Sequence, residues 1–428
     1  MDREGVVTLG PHDETLGTAA SHRGGPATPL VSILIVTFNP DEGSLSRCLT
    51  SIAKQTCSDY EVIMIDNGSR DSVFSRVVQQ VRERPADAIP IALRRLSSNT
   101  GFAHAMNLAI ATSSGDLCLL LNPDAELANL ALEALIDQAA SHPELIGFAP
   151  KVKLAAYPDI IDSVGLEFSW SGDAWQRGLG QIDIGQFDRP ERVRGVTMGA
   201  ALIRRTAFAP DEVGPLDERF FMFFEDVDWS LRASLYGKSF ITVPQAIVFH
   251  AGGESSRQKA FSWRYRLIER NVYYAAIKNY ETRHLRSFLL RRTGPHLRQI
   301  SHGVRPWTTL RLLLEAARGL STMRATRRLV QTRRQRRDAD VIGGKAPQPA
   351  IDVLTWRPIY SWRVVRDSLG RLYAVEGTDQ WSRAYRYLEV FLRSNVRLDS
   401  AEVLRRLEEV AGPLPQAIYS YAKSIEKS

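Results

Sequence analysis

Four phenylalanines and a methionine, spanning Phe220 to Phe224, run directly into three carboxylates, Glu225, Asp226 and Asp228, in the stretch FFMFFEDVDWSLR. A carboxylate held against an apolar wall loses hydration, which penalises its charged form and raises its pKa unless a cation or hydrogen bonds compensate. That is the environment of a general base, a group able to take a proton from a hydroxyl near neutral pH. The same pattern suits a helix start, where acids in the first turn face free N–H groups and the positive end of the helix dipole. With a helix running from Asp226, Asp228 and Arg232 stand one turn apart, in reach of an ion pair, and Asp228 reads as structural.

Further polar side chains gather where apolar runs end. LVSILIVTF ends in Thr37-Phe38-Asn39, YEVIMID in Asp66-Asn67-Gly68-Ser69, and GDLCLLLN in Asn122-Pro123-Asp124. An Asp just past a strand of a nucleotide-binding sheet can accept hydrogen bonds from a base or ribose; DNGS equally forms a tight turn followed by an N-cap. Pro123 removes a donor and biases Asn122 to an extended shape, so the turn can hold Asp124 outward, although NPD alone is also a common turn and capping sequence. His250 ends AIVFH and precedes GGESSR, a loop offering N–H groups, hydroxyls and Arg257 to a phosphate. A lone histidine after a strand is more often structural than a ligand. Yet Asp124, His250 and diphosphate oxygens would together suit a hard divalent ion, Mg2+ or, through the nitrogen donor, Mn2+.

These residues need a frame. Continuous apolar runs of strand length, enriched in β-branched residues, are the pattern of parallel strands buried on both faces. LVSILIVTF, YEVIMID, IPIALRRL and GDLCLLLN alternate with stretches of helical spacing, such as Leu45, Leu49 and Ile52, or Val73, Val77 and Val81. The alternation predicts an α/β fold, a mostly parallel sheet flanked by helices, with ligands at the carboxyl ends of the strands, where the loops above fall. Periodicity weakens over 151–197, which reads as an irregular acceptor-side insertion. VTMGAALIRR then returns to the sheet, KSFITVP and AIVFH are short strands, and FSWRYRLIERNVYYAAIKNY is a closing helix. The expected organisation is a mobile tail over 1–28, a catalytic domain over 29–280, a basic amphipathic helical segment with fifteen arginines over 281–337, a Gly- and Pro-rich linker over 338–350 and a helical C-terminal region over 351–428.

The ordered set VSILIVTFN, IDNGSRD, NTGFAHAMN, LLNPDAEL, GAALIRR, VGPLDERFFMFFEDVDWSLR and IVFHAGGES resembles the family 2 glycosyltransferases, in particular their rhamnosyltransferase-like branch, over roughly residues 30 to 280. The resemblance implies a glycosyltransferase A-type fold and an inverting, metal-dependent transfer from a nucleotide-sugar to a glycan or polyprenyl-linked glycan hydroxyl. On branch resemblance the donor is dTDP-rhamnose, with UDP-galactofuranose or an N-acetylhexosamine donor as alternatives. By motif match Asp66 would contact the nucleotide base, with Thr37, Phe38, Asn67, Asn99, Gly101 and Asn122 shaping the donor site. Asp226 would be the general base, Glu225 and Trp229 acceptor-binding, and Asp124 and His250 the ligands of Mn2+ or Mg2+. The first position of the family's Asp-x-Asp motif is Asn122 here, which leaves one fewer carboxylate for an ion. Without Gln-x-x-Arg-Trp, single or few additions are expected in place of polymerisation.

Composition bounds these readings. The 428 residues, 44% apolar and 24% charged, fit a globular protein with room for two domains and exclude disordered and fibrous classes. The net charge of +7 suggests an acidic partner: phosphate, nucleic acid or an anionic membrane. Cys48, Cys57 and Cys118 show no Cys-x-x-Cys spacing, so neither a disulfide framework nor a zinc knuckle is expected, and a reducing cytoplasm fits. MDREG is followed by no signal-type apolar region, and no run reaches the ~20 apolar residues of a membrane span. The expectation is a cytoplasmic protein, soluble or peripheral at the membrane. The competing function is a nucleic-acid-binding protein using the arginine-rich segment. No RNA- or DNA-reading motif accompanies those arginines, and basic residues beside an apolar stripe also suit an anionic membrane surface.

Overall fold

A computed structural model describes residues 6–9, 28–83, 89–179, 183, 185–251, 261–303 and 306–343, and the strand pair 365–366 with 372–373. The expected alternation is present. Strand β1 (Val6–Leu9) precedes β2 (Val31–Thr37), α1 (Glu42–Ala53), β3 (Tyr60–Asp66), α2 (Asp71–Arg82), β4 (Ile91–Arg95), α3 (Phe102–Thr112) and β5 (Leu117–Leu121). Strands β4, β3, β2 and β5 lie side by side and parallel. Val31, Ile33 and Ile35 face one core layer with α1 and α2, while Leu34 and Val36 face the other with α3, so β2 is buried on both sides as its unbroken apolar run requires.

Beyond β5 come β6 (Ala125–Leu127), α4 (Ala131–Ser141), β7 (Gly147–Leu154), β8 (Tyr157–Ser163), β9 (Leu166–Phe168), β10 (Ala174–Gln176), β11 (Arg192–Val193) and β12 (Ala200–Arg204). The insertion read as irregular thus contains strand pairs: β7 pairs with β8, and β9 with β10. Its pattern hid this because Lys151 and Lys153 interrupt β7; Lys151 is buried against Asp183 and Asp188 at 3.0 and 2.5 Å. VTMGAALIRR does return to the sheet, as β12, antiparallel between β5 and β7. KSFITVP and AIVFH are one strand, β13 (Phe240–His250), parallel to β7 with a register shift between Val243 and Ile247.

Helix α5 (Glu225–Leu235) begins at the acidic residues. Then α6 (Phe261–Asn279), α7 (Thr282–Ser301), α8 (Pro306–Arg318) and α9 (Leu320–Arg333) pack into a third core with Leu231 and Leu235 of α5. The basic segment is therefore joined to the catalytic domain. Arg333 donates to Pro210 O at 2.6 Å, Arg336 to Gly237 O at 2.8 Å and Arg327 to Ile277 O at 2.9 Å.

Three expected boundaries differ. Val6–Leu9, assigned to the tail, pairs antiparallel with β4, as a β-branched VVTL can. The expected linker opens with a short helix, α10 (Asp338–Val341), because Asp338 is buried and takes hydrogen bonds from Arg334, His284 and the Glu281 N–H. Within the region expected to be helical, Val365–Arg366 pairs with Leu372–Tyr373 as a β-ribbon. The remainder of 351–428, most of the tail and the loop GGESSR lie outside the described residues.

Candidate active site

The loops after β2, β3 and β4 lock together behind the carboxyl edge of the sheet. Thr37 Oγ1 donates to Asp66 Oδ1 at 3.2 Å, and Ser69 reaches Asp66 through Oγ at 2.5 Å and its N–H at 3.1 Å. Asn67 Oδ1 accepts from the Thr100 N–H and hydroxyl, while its Nδ2 donates to Gly101 O at 3.1 Å and Asn99 Oδ1 at 3.3 Å. The expected base contact by Asp66 is therefore corrected. Its carboxylate has no exposed surface and is consumed in holding the turn. Thr37 and Asn67 are buried in the same lock, which leaves Phe38, Asn99 and Asn122 as the half-buried members of the expected donor set.

Gly101 ties that lock to the aromatic loop. Its φ is +92°, and a Cβ there would stand 2.5 Å from Phe221 O and 2.6 Å from the Phe221 ring. Phe221, Phe223 and Phe224 all have φ near +65°, a conformation costly for a bulky L-residue that persists only when surroundings over-determine it. The surroundings are on α6. The buried Asn271 amide donates to the carbonyls of Phe220, Met222 and Phe223 at 3.0, 2.9 and 2.7 Å. Lys278 bridges Asp217 and Asp228, each at 2.7 Å, and Asn279 donates to Asp228 Oδ1 at 2.8 Å. Asp228 is structural, as its spacing suggested, although Arg232 stands 4.0 Å away and spends its donors on Val213 O and Pro215 O.

This clamp sets the first turn of α5 beside the sheet. Asp226 is half-buried and accepts from the N–H groups of Val227 and Met198; burial outweighs those bonds and raises its pKa from 3.8 to about 6. Glu225 is buried with Oε2 lacking a hydrogen-bond partner; burial first, and the Asp226 charge second, push it from 4.5 to about 8. Asp226 therefore ionises first, and near neutral pH the pair holds one charge and one proton. Met198 is the joint to the next group of residues. Its neighbour Gly199 accepts from the Asn122 N–H at 2.8 Å, and a Cβ on Gly199 would lie 3.1 Å from Asn122 Nδ2.

Three residues past Asn122, β6 begins and pairs with the end of β13, with Ala125 opposite His250. That pairing sets Asp124 Oδ1 3.3 Å from His250 Nε2, and Asp162 Oδ2 of β8 accepts from Nδ1 at 2.9 Å. His250 Nε2 is buried without a properly aligned hydrogen bond. Burial alone would drive the imidazolium pKa down, but the two carboxylates raise it from 6.5 to about 10. A nitrogen that feels so much negative charge without a linear acceptor is well placed to meet a cation. A histidine steadied by a carboxylate on its other nitrogen is the usual arrangement around a ligated metal. The residues thus fit a divalent ion on Asp124 and His250, with Asp162 orienting the ring.

Residues 32–209 match the model of Glycosyl transferase family 2. Over those residues the chain is similar to that family. It is 27% identical over 252 residues to the N-acetylglucosaminyl-diphospho-decaprenol L-rhamnosyltransferase of Mycobacterium tuberculosis, covering 54% of this chain and 78% of the relative. It is 23% identical over 227 residues to the dTDP-rhamnosyl transferase RfbF of Shigella flexneri, covering 52% of this chain and 69% of the relative. Among solved structures, GalNAc-T7 with UDP, GalNAc and Mn2+ superposes with a TM-score of 0.50 at 17% identity, over 62% of this chain and 50% of that one. The fold is the glycosyltransferase A type, and the protein is a glycosyltransferase that resembles family 2 and its rhamnosyltransferases.

Within this glycosyltransferase the structure brings Asp226, Glu225, Asn122, Asp124 and His250 around one edge of the sheet. It removes Trp229 from the acceptor side. The indole is fully buried, donates to Gly214 O at 2.8 Å and packs on Phe208 and Phe240, because its position on α5 faces the sheet. Sequence reasoning missed Asp162, hidden in the insertion, and Asn271 and Lys278, which read only as polar members of a closing helix. The uncommon run of asparagine and lysine among Tyr273, Tyr274 and Ile277 was the available signal for the last two.

Proposed function

We propose that the enzyme transfers rhamnose, with inversion, from dTDP-rhamnose to a hydroxyl of a glycan carried on a polyprenyl diphosphate, using a divalent ion. The sugar and acceptor classes are those of the rhamnosyltransferases it resembles. Asp226 supports the inverting mechanism: one carboxylate, raised to about 6 by burial and aimed from a helix N-terminus, is a base poised to take the acceptor proton at neutral pH. In that step the acceptor oxygen forms its bond to the anomeric carbon, the bond to the diphosphate breaks, and the proton ends on Asp226. Glu225, still protonated, orients the acceptor by donating to one of its oxygens. Half-buried Phe221, Phe223 and Phe224 offer apolar faces to sugar rings and exclude water from the reacting carbon. Asp124 and His250 would hold the divalent ion, which would supply charge neutralisation for the departing diphosphate.

The observation that carries this reading is the placement of the Asp226 carboxylate in the first turn of α5, linked through Met198 and Gly199 to the Asn122–His250 corner. A screen of nucleotide-sugars by released nucleoside diphosphate, with and without Mn2+ or Mg2+, tests it. Release from dTDP-rhamnose that needs the ion and rises with a glycolipid acceptor is expected; release from another sugar alone replaces the donor, and no release from any sugar overturns the reading.

A further inference from the structure

The outward faces of α7, α8 and α9 take no part in the site, yet they hold nearly all the large apolar side chains that the described residues leave in solvent. Leu290 is 79% and Trp307 81% exposed, and Leu297, Leu310, Leu314 and Leu329 are exposed with them. Their spacing is helical. Trp307, Leu310, Leu314 and Ala317 fall on one stripe of α8, and Leu290 and Leu297 on one stripe of α7. The opposite faces are already occupied: Phe288 of α7, Ala316 of α8, and Met323 and Val330 of α9 lie in the third core. The stripes are therefore second apolar faces, surplus to the packing of the described residues.

Their charge is one-sided. Fifteen arginines and a single acid, Glu315, lie between residues 282 and 337, and Glu315 is engaged by Arg266 and Arg311. Arg286, Arg298, Arg318, Arg324 and Arg328 are exposed with no ion pair among the described residues. Residues 344–428 hold thirteen basic and ten acidic side chains, so that segment is itself net positive and does not neutralise the face. A nucleic acid would meet the arginines but gain little from a bare tryptophan and five leucines. A bilayer interface rewards both, with Trp and Leu at the headgroup boundary and guanidinium groups on lipid phosphates.

We infer that α7, α8 and α9 form a docking surface for an anionic lipid bilayer. No helix among the described residues is long and apolar enough to cross one, so the enzyme lies on it. The inference deepens the reading of a polyprenyl-linked acceptor, and rests on that reading for its purpose: the surface brings the catalytic edge to where such a lipid is embedded.

The full chain is sedimented with vesicles of phosphatidylcholine, with and without phosphatidylglycerol. Binding is expected only to the anionic vesicles and weakens with salt. Replacing Arg286, Arg298 and Arg318 together by Glu lowers partitioning by about 10²-fold or more, from roughly fivefold for each arginine lost. Trp307→Ser with Leu314→Ser lowers it as well. Thermal melting and release of nucleoside diphosphate without vesicles stay unchanged in both variants. Wild-type protein that ignores anionic vesicles, or variants that bind as well as wild type, overturn the inference. So does tight oligonucleotide binding, or lipid-free self-association by light scattering, that the same substitutions abolish while vesicle binding is absent. Vesicle binding without donor turnover would sink the transferase reading alone, and turnover without vesicle binding would sink only the docking surface.

Discussion

Replacing Asp226 by Asn should stabilise the protein while disabling it. The carboxyl titrates near 3.8 when unfolded and at about 6 in place, because burial outweighs two backbone hydrogen bonds. A group with a raised folded pKa favours the fold when protonated; that stability is fully present below about 3.8 and is lost as pH rises through about 6. The shift of roughly two units, at about 1.4 kcal/mol each, means the ionised base costs at most about 3 kcal/mol above pH 6. Asn keeps an acceptor oxygen for the Val227 and Met198 N–H groups and removes the charge. Chemical denaturation should therefore show Asp226→Asn more stable than wild type by up to about 3 kcal/mol at pH 7.5, with the gain gone by pH 4. Transfer should fall by about 10² to 10⁴, the usual contribution of a general base. A variant that is less stable at pH 7.5, equally stabilised at both pH values, or fully active would refute the assignment of a strained catalytic carboxylate.

Other outcomes follow from the same geometry. The wild-type rate should rise with pH through about 6 as Asp226 ionises and fall above about 8 as Glu225 loses its proton; Glu225→Gln should keep the lower limb and remove the upper one in a pH–rate profile. His250→Ala should abolish Mn2+ binding by calorimetry and lower the melting temperature in the absence of metal, since it leaves the largely buried Asp124 and Asp162 without the cation between them. Lys278→Met strands the buried Asp217 and Asp228, and should cost about 3 to 5 kcal/mol in denaturant unfolding. Gly101→Ala drives a Cβ into Phe221 at a φ of +92°, and should cost more than about 1 kcal/mol while lowering transfer, because it displaces the aromatic loop.

The alternation of strands and helices from β2 to α4 was legible in the chain because burial on both faces requires unbroken apolar runs, which periodicity reports directly. Asp226, Asp124 and His250 were legible as candidates for a related reason: each lies at the end of an apolar segment, which fixes its place at the sheet edge. The insertion was not legible. Lys151 and Lys153 break the pattern of β7, and only their distant partners Asp183 and Asp188 show that charge can be buried there. Asp66 and Trp229 had the right types at the right positions for ligand contact, yet Asp66 is spent on Ser69 and Thr37, and Trp229 on the core.

What the sequence determined by itself was therefore the layer order, the aromatic wall against an acidic helix start, and the residues at strand ends, all set by contacts local in the chain. The tertiary structure decided which carboxylates keep an exposed oxygen and how the rest are neutralised. Asp162 meets His250 across 88 residues and Asn271 reaches the Phe223 carbonyl across 48, and hydrogen bonds over such separations leave no periodic trace. A buried charge is tolerated or perturbed according to partners that only folding supplies.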